Sequence, residues 1–451
     1  MSLNIFIQMV VMALAAVALY TVIGLIPGTD ETSVLLPITL VIVLAGFEPI
    51  VVLTFFIAAI VTLNLTNAIP TVLVGLPGGV MSSPMLESAL YLKEKGRSAA
   101  VIKKMAVGTL IGVLISIPLA MILASLLAPL GPMLTEYAPL LLFIGAIFLS
   151  LLSKQKIISL ISIIPLALLF MGLRYLYWGV GVVPEGVNIT TSFFLGITVG
   201  PLLVSLIDLI NKDKRAEMST DQYKKITLPN DKKHRQSLNP FKIISKAEFK
   251  TASLGAFLSS FLFVLSPVGL TILFGETLNN RIKDPIKKAE STIVTMNAVG
   301  QATYLSGLII PLIAIGIPLS PISIGPGGAL FNAPPVLSLE NNIHHLLSTW
   351  QFPLAILTGG LIALVITYFL TTRFAGTMSN IVLRKISHEA VLGLFIAFIV
   401  LLAYMDAGLI NIFGVLLIGI VCGTLNKKGM NYGIQFMTLY AAPFIVKMLV
   451  G

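Results

Sequence analysis

The chain has 451 residues, of which 57% are hydrophobic and only 11% are charged. Soluble domains contain about 25% charged residues, so this composition excludes a soluble globular protein and indicates a polytopic membrane protein. The formal net charge of +10 is interpreted as basic cytoplasmic loops, and nucleic acid is not a predicted partner. The single cysteine, Cys422, excludes a disulfide framework and a cysteine-based metal site.

Apolar runs near the ~20 residues that span a bilayer recur along the chain. The first run, at about 4–26, has no basic flank and no cleavage site, so it is predicted to be a transmembrane helix. Further spans are predicted at 32–46, 49–65, 100–127, 133–153, 156–173, 190–210, 250–275, 351–372, 388–405, 408–425 and 432–450. With interrupted segments near 66–82 and 300–325, the pattern predicts an all-α protein with about 10 to 12 transmembrane segments.

One long polar segment divides the chain. Residues 211–250 are rich in Lys and Arg and contain fewer acidic residues, which predicts a solvated cytoplasmic linker. The predicted organisation is therefore an N-terminal membrane repeat at 1–210, the basic linker at 211–250 and a C-terminal membrane repeat at 251–451.

The two halves share proline-containing breaks at matching separations. Pro27 precedes Pro77 by 50 positions, and Pro267 precedes Pro318 by 51. Proline interrupts a membrane helix, and paired interruptions in two halves of a transporter mark the substrate site. The pattern predicts an internal repeat with two broken, re-entrant helical hairpins.

The basic clusters change places between the halves. No Lys or Arg occurs between Met1 and Leu92, and the cluster KEKGR (93–97) follows the second break. In the second half the cluster RIKDPIKK (281–288) follows the first break, and no Lys or Arg lies at 289–372. Because basic loops face the cytoplasm, equivalent loops lie on opposite sides, which predicts an inverted-topology repeat.

Polar and small residues surround both breaks. Free backbone amides at the start of a half-helix bind anions, so such a site needs no Lys or Arg. A kink or close helix packing around small residues is the alternative interpretation. The substrate-binding candidates are Thr66, Asn67, Pro77, Gly78, Gly79, Ser82, Ser83, Gly316, Pro318, Ser320 and Ser323.

Two acidic residues, Asp30 and Glu31, follow the first break at Pro27 and Gly28. They either help to hold a coupling cation or cap the next helix at the membrane surface, and both interpretations stay open. The adjacent His344 and His345 are not accompanied by an HExxH pattern, and no GxSxG or Walker loop occurs. We therefore predict no metal site, no cofactor and no enzymatic activity.

Longer motifs carry a family resemblance. The stretch NAIPTVLVGLPGGVMSSPMLESALYLKEKGRSAA (67–100) resembles the large permease subunit of tripartite tricarboxylate transporters, the TctA family. IGLIPG resembles the first GxLPG element of that family, and IPLIAIGIPLSPISIGPGGAL (310–330) resembles its IPLLTLGIPGSATTAVLLGAL element. The resemblance spans most of the chain, from about Gly24 to the final helices.

The resemblance implies a multi-pass permease of the prokaryotic inner membrane that imports di- or tricarboxylates such as citrate. It also implies coupling to a sodium or proton gradient, with a small membrane subunit and a periplasmic binding protein as partners besides membrane lipid. A homodimer is left open. Gly28, Asp30 and Asn297 are the coupling-ion candidates. The alternative function is a channel or a passive membrane scaffold without coupled transport.

Overall fold

The computed structural model describes residues 2–27, 31–75, 78–153, 155–186, 190–210, 238–385 and 388–450. Within these ranges the secondary structure is α-helical with short 3₁₀ turns, apart from two isolated β-bridges at 333–341. Three predicted site residues, Gly28, Asp30 and Pro77, lie outside the described residues, as does most of the predicted linker, 211–237.

The described part of the first half contains ten helices. They are α1 (Leu3–Gly24), α2 (Glu31–Leu44), α3 (Pro49–Thr66), α4 (Ala68–Leu73), α5 (Leu86–Glu94), α6 (Ser98–Leu127), α7 (Gly131–Glu136), α8 (Ala138–Leu152), α9 (Lys156–Gly179) and α10 (Thr190–Ile210). A 3₁₀ turn at Val80–Met85 leads directly into α5, and a second at Ala128–Leu130 follows α6.

The described part of the second half contains nine helices. They are α11 (Pro240–Ile243), α12 (Lys246–Phe261), α13 (Pro267–Thr277), α14 (Pro285–Ala314), α15 (Pro321–Ile324), α16 (Ile343–Leu346), α17 (Gln351–Lys385), α18 (His388–Lys427) and α19 (Tyr432–Val450). A 3₁₀ turn at Gly328–Leu330 follows α15, and α18 contains a kink at Ala407 and Gly408.

Eight helical stretches of the described chain are long and apolar enough to cross a membrane. They are α1, α3 with α4, α6 with the turns after it, α9, α14, α17, the second part of α18, and α19. Three shorter apolar helices lie within α2, α8 and α10. The predicted all-α polytopic membrane fold is thereby confirmed.

One predicted span of the second half is wrong, and one helix is longer than predicted. The span predicted at 250–275 consists of two helices, because the Ser266 hydroxyl accepts the Gly269 N–H and Pro267 begins a new helix. The segment predicted as interrupted near 300–325 is helical up to Ala314, the end of a helix that begins at Pro285, and the chain is then interrupted until α15 begins at Pro321. The hydropathy of α14 underestimates its length as a membrane-spanning helix, because its polar residues are buried against other helices. Even its most apolar stretch is completely buried by protein.

Two pairs of parallel helices pack closely together, α6 with α14 and α3 with α17. In α6, methyl groups on Gly108 and Gly112 would lie 2.6 Å from the carbonyl oxygens of Val294 and Ala298 in α14. In α17, a methyl group on Gly359 would lie 2.3 Å from the carbonyl oxygen of Thr54 in α3. Glycine therefore allows close backbone approach in both pairs, as small residues do in membrane helix packing.

Candidate functional site

Each half of the chain contains the same proline–glycine break. Residues 69–77 read IPTVLVGLP and residues 310–318 read IPLIAIGIP, so both prolines and the glycine recur in register. Gly75 and Gly316 have left-handed backbones, with φ of 85° and 75°. Their N–H groups donate to the carbonyls of Pro70 (3.2 Å) and Pro311 (2.9 Å) respectively. A glycine in the left-handed region ends each helix and lets the chain reverse.

After each break the chain returns beside the helix it has just left. A methyl group on Gly78 would lie only 2.0 Å from the carbonyl oxygen of Asn67, so this approach requires glycine. In the second half, the Ser320 hydroxyl donates to the carbonyl of Gly307. We call residues 78–85 the first tip and residues 316–330 the second tip.

A buried carboxylate is bound at the first tip. Glu31, at the start of α2, is 1% exposed, and its Oε1 accepts a hydrogen bond from the Asn67 side-chain amide at 3.2 Å. The N–H of Val80 donates to Oε2 (3.2 Å), and the N–H of Met81 donates to Oε1 (3.3 Å). Three neutral donors thus converge on this one carboxylate.

Gly79 leaves the space that this contact needs. A methyl group at this position would lie 2.3 Å from Oε1 of Glu31 and 2.6 Å from Nδ2 of Asn67. The backbone of Gly79 is extended, with φ of −146°, so its conformation alone does not require glycine. Glycine is therefore required at position 79 because any side chain there would collide with the Glu31 carboxylate.

The first turn of α2 also contacts the second tip. A methyl group on Gly325 would lie 3.5 Å from the hydroxyl oxygen of Thr32 and 3.5 Å from the ring of Phe436 in α19. Thr32 follows Glu31 directly in the chain. The two tips therefore approach the same turn of α2, one through Glu31 and the other through Thr32.

The predicted serines shape the tips through local hydrogen bonds. In the first tip, the Gly79 N–H donates to the Ser82 hydroxyl (3.2 Å), and the Ser83 hydroxyl donates to the Gly79 carbonyl (3.3 Å). In the second tip, the Ser320 N–H donates to the Ser323 hydroxyl (2.9 Å), and the Ser323 N–H donates to the Ser320 hydroxyl (3.0 Å). The second tip thus starts its helical turn with a reciprocal cap, whereas Gly79 in the first tip has no side chain to accept the second hydrogen bond.

Two further predicted residues lie in helices beside the first tip. The Thr66 hydroxyl donates to the Tyr20 carbonyl (3.1 Å) and links α3 to α1. Oδ1 of Asn297 in α14 accepts from the Thr109 hydroxyl (2.6 Å), and its Nδ2 lies 3.9 Å from Sδ of Met85. The structure places Asn67, Gly78, Gly79, Ser82 and Ser83 at or beside the first tip, and Gly316, Pro318, Ser320 and Ser323 in the second.

Sequence reasoning missed an ionic cluster where α6 and α14 begin. Arg97 and Lys104 each donate to Glu290 at 2.7 Å, and Lys104 also donates to Glu248 at 2.5 Å. Glu290 and Glu248 are buried. These partners are separated by between 144 and 193 positions, so no local pattern indicates them. By contrast, the matching sequences at 69–77 and 310–318 are a local pattern, and they indicate where both breaks begin and end.

Comparison with known proteins agrees with the motif resemblance. The model of the tripartite tricarboxylate transporter TctA family matches residues 10–434, a range that includes both tips, Glu31 and the ionic cluster. No curated protein and no solved structure matches the chain. The match covers nearly the whole sequence, and the chain belongs to the tripartite tricarboxylate transporter TctA family.

Proposed function

We propose that the chain is the permease of a secondary active transporter that imports di- or tricarboxylates such as citrate. The observation that carries the proposal is the approach of two broken segments to one turn of α2, where protein amides already bind the carboxylate of Glu31. Broken helices in corresponding positions of two halves form the substrate site in many transporters. Family membership supports the carboxylate class.

Helix packing supports an inverted-topology repeat with re-entrant tips. In the first half, α1 packs against α3 and against α17 of the other half. In the second half, α12 packs against α14 and against α6 of the other half. In each half, one helix packs against a second helix of its own half and against a third helix of the other half. Two interlocked inverted repeats would give this pattern.

Glu31 connects substrate binding to a cation in this proposal. Two carboxylates at one site repel each other, so a substrate carboxylate reaches the amides of Val80 and Met81 when the charge of Glu31 is neutralised. A sodium ion or a proton at Glu31 supplies this neutralisation, with Asn67 orienting the substrate. Gly28, Asp30 and Asn297 remain the other proposed coupling-ion contacts.

The family name describes a tripartite system, so we propose two partners for this chain. These are a small membrane subunit and a periplasmic binding protein that delivers substrate. The proposed location is a prokaryotic inner membrane, with the basic segment 211–250 in the cytoplasm. The proposed activity is transport without enzymatic conversion of the substrate.

Counterflow in proteoliposomes tests the function. Purified protein is reconstituted with unlabelled citrate or succinate inside, and uptake of labelled acid is followed with sodium or pH varied. A carrier shows saturable, transient accumulation of label that depends on the coupling cation, whereas a channel or scaffold shows none. A thermal-shift screen of di- and tricarboxylates identifies the ligand. If no carboxylate stabilises the protein with any cation, the proposed function is wrong.

A further inference from the structure

Two buried polar groups lie beyond the second tip and are not part of the predicted site. Asn332 is 4% exposed, and it faces the hydroxyl of Tyr440 in α19. The pair does not complete a hydrogen bond of normal geometry, and no other described residue satisfies the Asn332 side-chain amide or the Tyr440 hydroxyl. Buried amides and hydroxyls without partners are unfavourable, so this pair has unused capacity for a polar ligand.

The surroundings of this pair belong to the two-tip site. The ring of Phe194 in α10 meets the Tyr440 ring edge-on at 5.2 Å and stacks on Phe436 at 4.7 Å. The Phe436 ring is also close to the second tip, since a methyl group on Gly325 would lie 3.5 Å from it and 3.5 Å from the hydroxyl oxygen of Thr32. Tyr440 lies one helical turn farther along α19, a rise of about 6 Å.

The chemistry of the pair selects the group that it binds. The Asn332 amide and the Tyr440 hydroxyl both donate hydrogen bonds, and neither carries a charge. The sequence from 289 to 372, which includes Asn332, contains no Lys or Arg. Two convergent neutral donors can bind a carboxylate in the same way that Asn67 and the backbone amides bind Glu31.

We propose that Asn332 and Tyr440 bind the second carboxylate of the substrate and so select di- and tricarboxylates over monocarboxylates. This inference rests on the proposed function, because it assumes that a first carboxylate binds at the tips. Asn332, in the loop after the second tip, and Tyr440, in α19, are then specificity-determining residues on different elements from the first-tip donors.

Tyr440→Phe tests the inference because it removes one hydroxyl and leaves the ring packing on Phe194 in place. Binding to purified protein is measured for citrate or succinate, whichever stabilises the wild type, and for the methyl ester of the same acid that keeps one free carboxylate, which is dimethyl citrate or monomethyl succinate. The wild type is expected to prefer the free acid, and Tyr440→Phe is expected to bind that acid about tenfold more weakly. The affinity of the variant for the ester should equal that of the wild type, so the variant should no longer prefer the free acid.

Controls separate this inference from a structural role and from the proposed function. Tyr404→Phe changes a tyrosine that is 53% exposed in α18 and should bind both compounds like the wild type. Asn332→Ala should reproduce the loss of preference. If Tyr440→Phe lowers the unfolding temperature without changing the preference, the pair is structural and the inference is wrong. If the wild type itself binds neither compound, the proposed function fails as well.

Discussion

At the scale of single residues, the first tip depends on a glycine whose side chain would collide with a carboxylate. A methyl group on Gly79 would overlap Oε1 of Glu31 and Nδ2 of Asn67. We expect Gly79→Ala to destabilise the protein by about 1–3 kcal/mol, because the buried contact must shift. Thermal unfolding in detergent measures the stability, and counterflow measures the accompanying loss of transport.

Gly172 provides the matched control for that substitution. It lies in α9, and nothing approaches the position of an added methyl group within 4 Å. Gly172→Ala should leave transport intact and raise stability slightly, since alanine favours a helix by about 1 kcal/mol over glycine. Equal unfolding temperatures and transport rates for the two variants would contradict the steric argument.

His344 fixes the start of the second tip and makes it sensitive to pH. Its Nδ1 lies 2.9 Å from the Leu312 carbonyl, and its ring fills the space beside Gly316. Burial lowers the pKa of His344 below its ordinary value of 6.5, and the neighbouring His345 lowers it further. The folded state therefore disfavours the protonated ring, and stability falls as pH drops below 6.5.

The pH effect is measured as a difference between two proteins. We expect wild type to lose more thermal stability than His344→Asn between pH 8 and pH 5, because the variant has no group to protonate there. Comparing the two proteins cancels the titration of all other groups. An equal loss in both proteins would show that His344 does not contribute to the pH dependence.

At the scale of elements, glycines determine how closely the central helices approach. A methyl group on Gly112 would lie 2.6 Å from the Ala298 carbonyl oxygen and 2.9 Å from Cβ of Gln301. We expect Gly112→Val to separate α6 from α14 and to cost about 1–3 kcal/mol of stability. Gly172→Val is the control with the same change in helix propensity. A similar unfolding temperature for both variants would contradict close packing at Gly112.

The elements that sequence predicts well are those fixed by local backbone chemistry. Proline and glycine interrupt helices wherever they occur in this pattern, so the breaks at Gly316 and around Gly79 are predictable. Helix α14 is harder to predict, because Asn297 and Gln301 lower its hydropathy while neighbouring helices bury them. The contact of Glu31 with Val80 depends on tertiary packing across 49 positions, so sequence indicates the acid but not its partner.

At the scale of the whole molecule, the ionic cluster of Arg97, Lys104, Glu248 and Glu290 holds segments that are distant in sequence at one end of the helix bundle. Arg97 belongs to the cluster at 93–97, and Glu290 lies just after the cluster at 281–288. Lys104 donates a hydrogen bond to Glu248, which lies in the last residues of the predicted linker segment and in the first turn of α12. Breaking a largely buried charge pair on one side leaves an uncompensated charge, so the cluster resists separation of these segments. The basic segments 93–97 and 281–288 and the start of α12 therefore lie at one end of the helix bundle.

Cysteine accessibility in membrane vesicles tests this arrangement. Residue 348 lies near the opposite end of the 30-residue helix α14, because Asn342 donates to the Gly316 carbonyl (2.8 Å) and His344 contacts Leu312. We expect Lys95→Cys and Lys283→Cys to react with a membrane-impermeant maleimide from one side, and Ser348→Cys from the other. The native Cys422 is buried, so Cys422→Ser gives a clean background. Labelling of positions 95 and 283 from opposite sides would contradict the ionic cluster, which requires these segments to share one side. It would also contradict the inverted repeat, which requires both basic segments to face the cytoplasm.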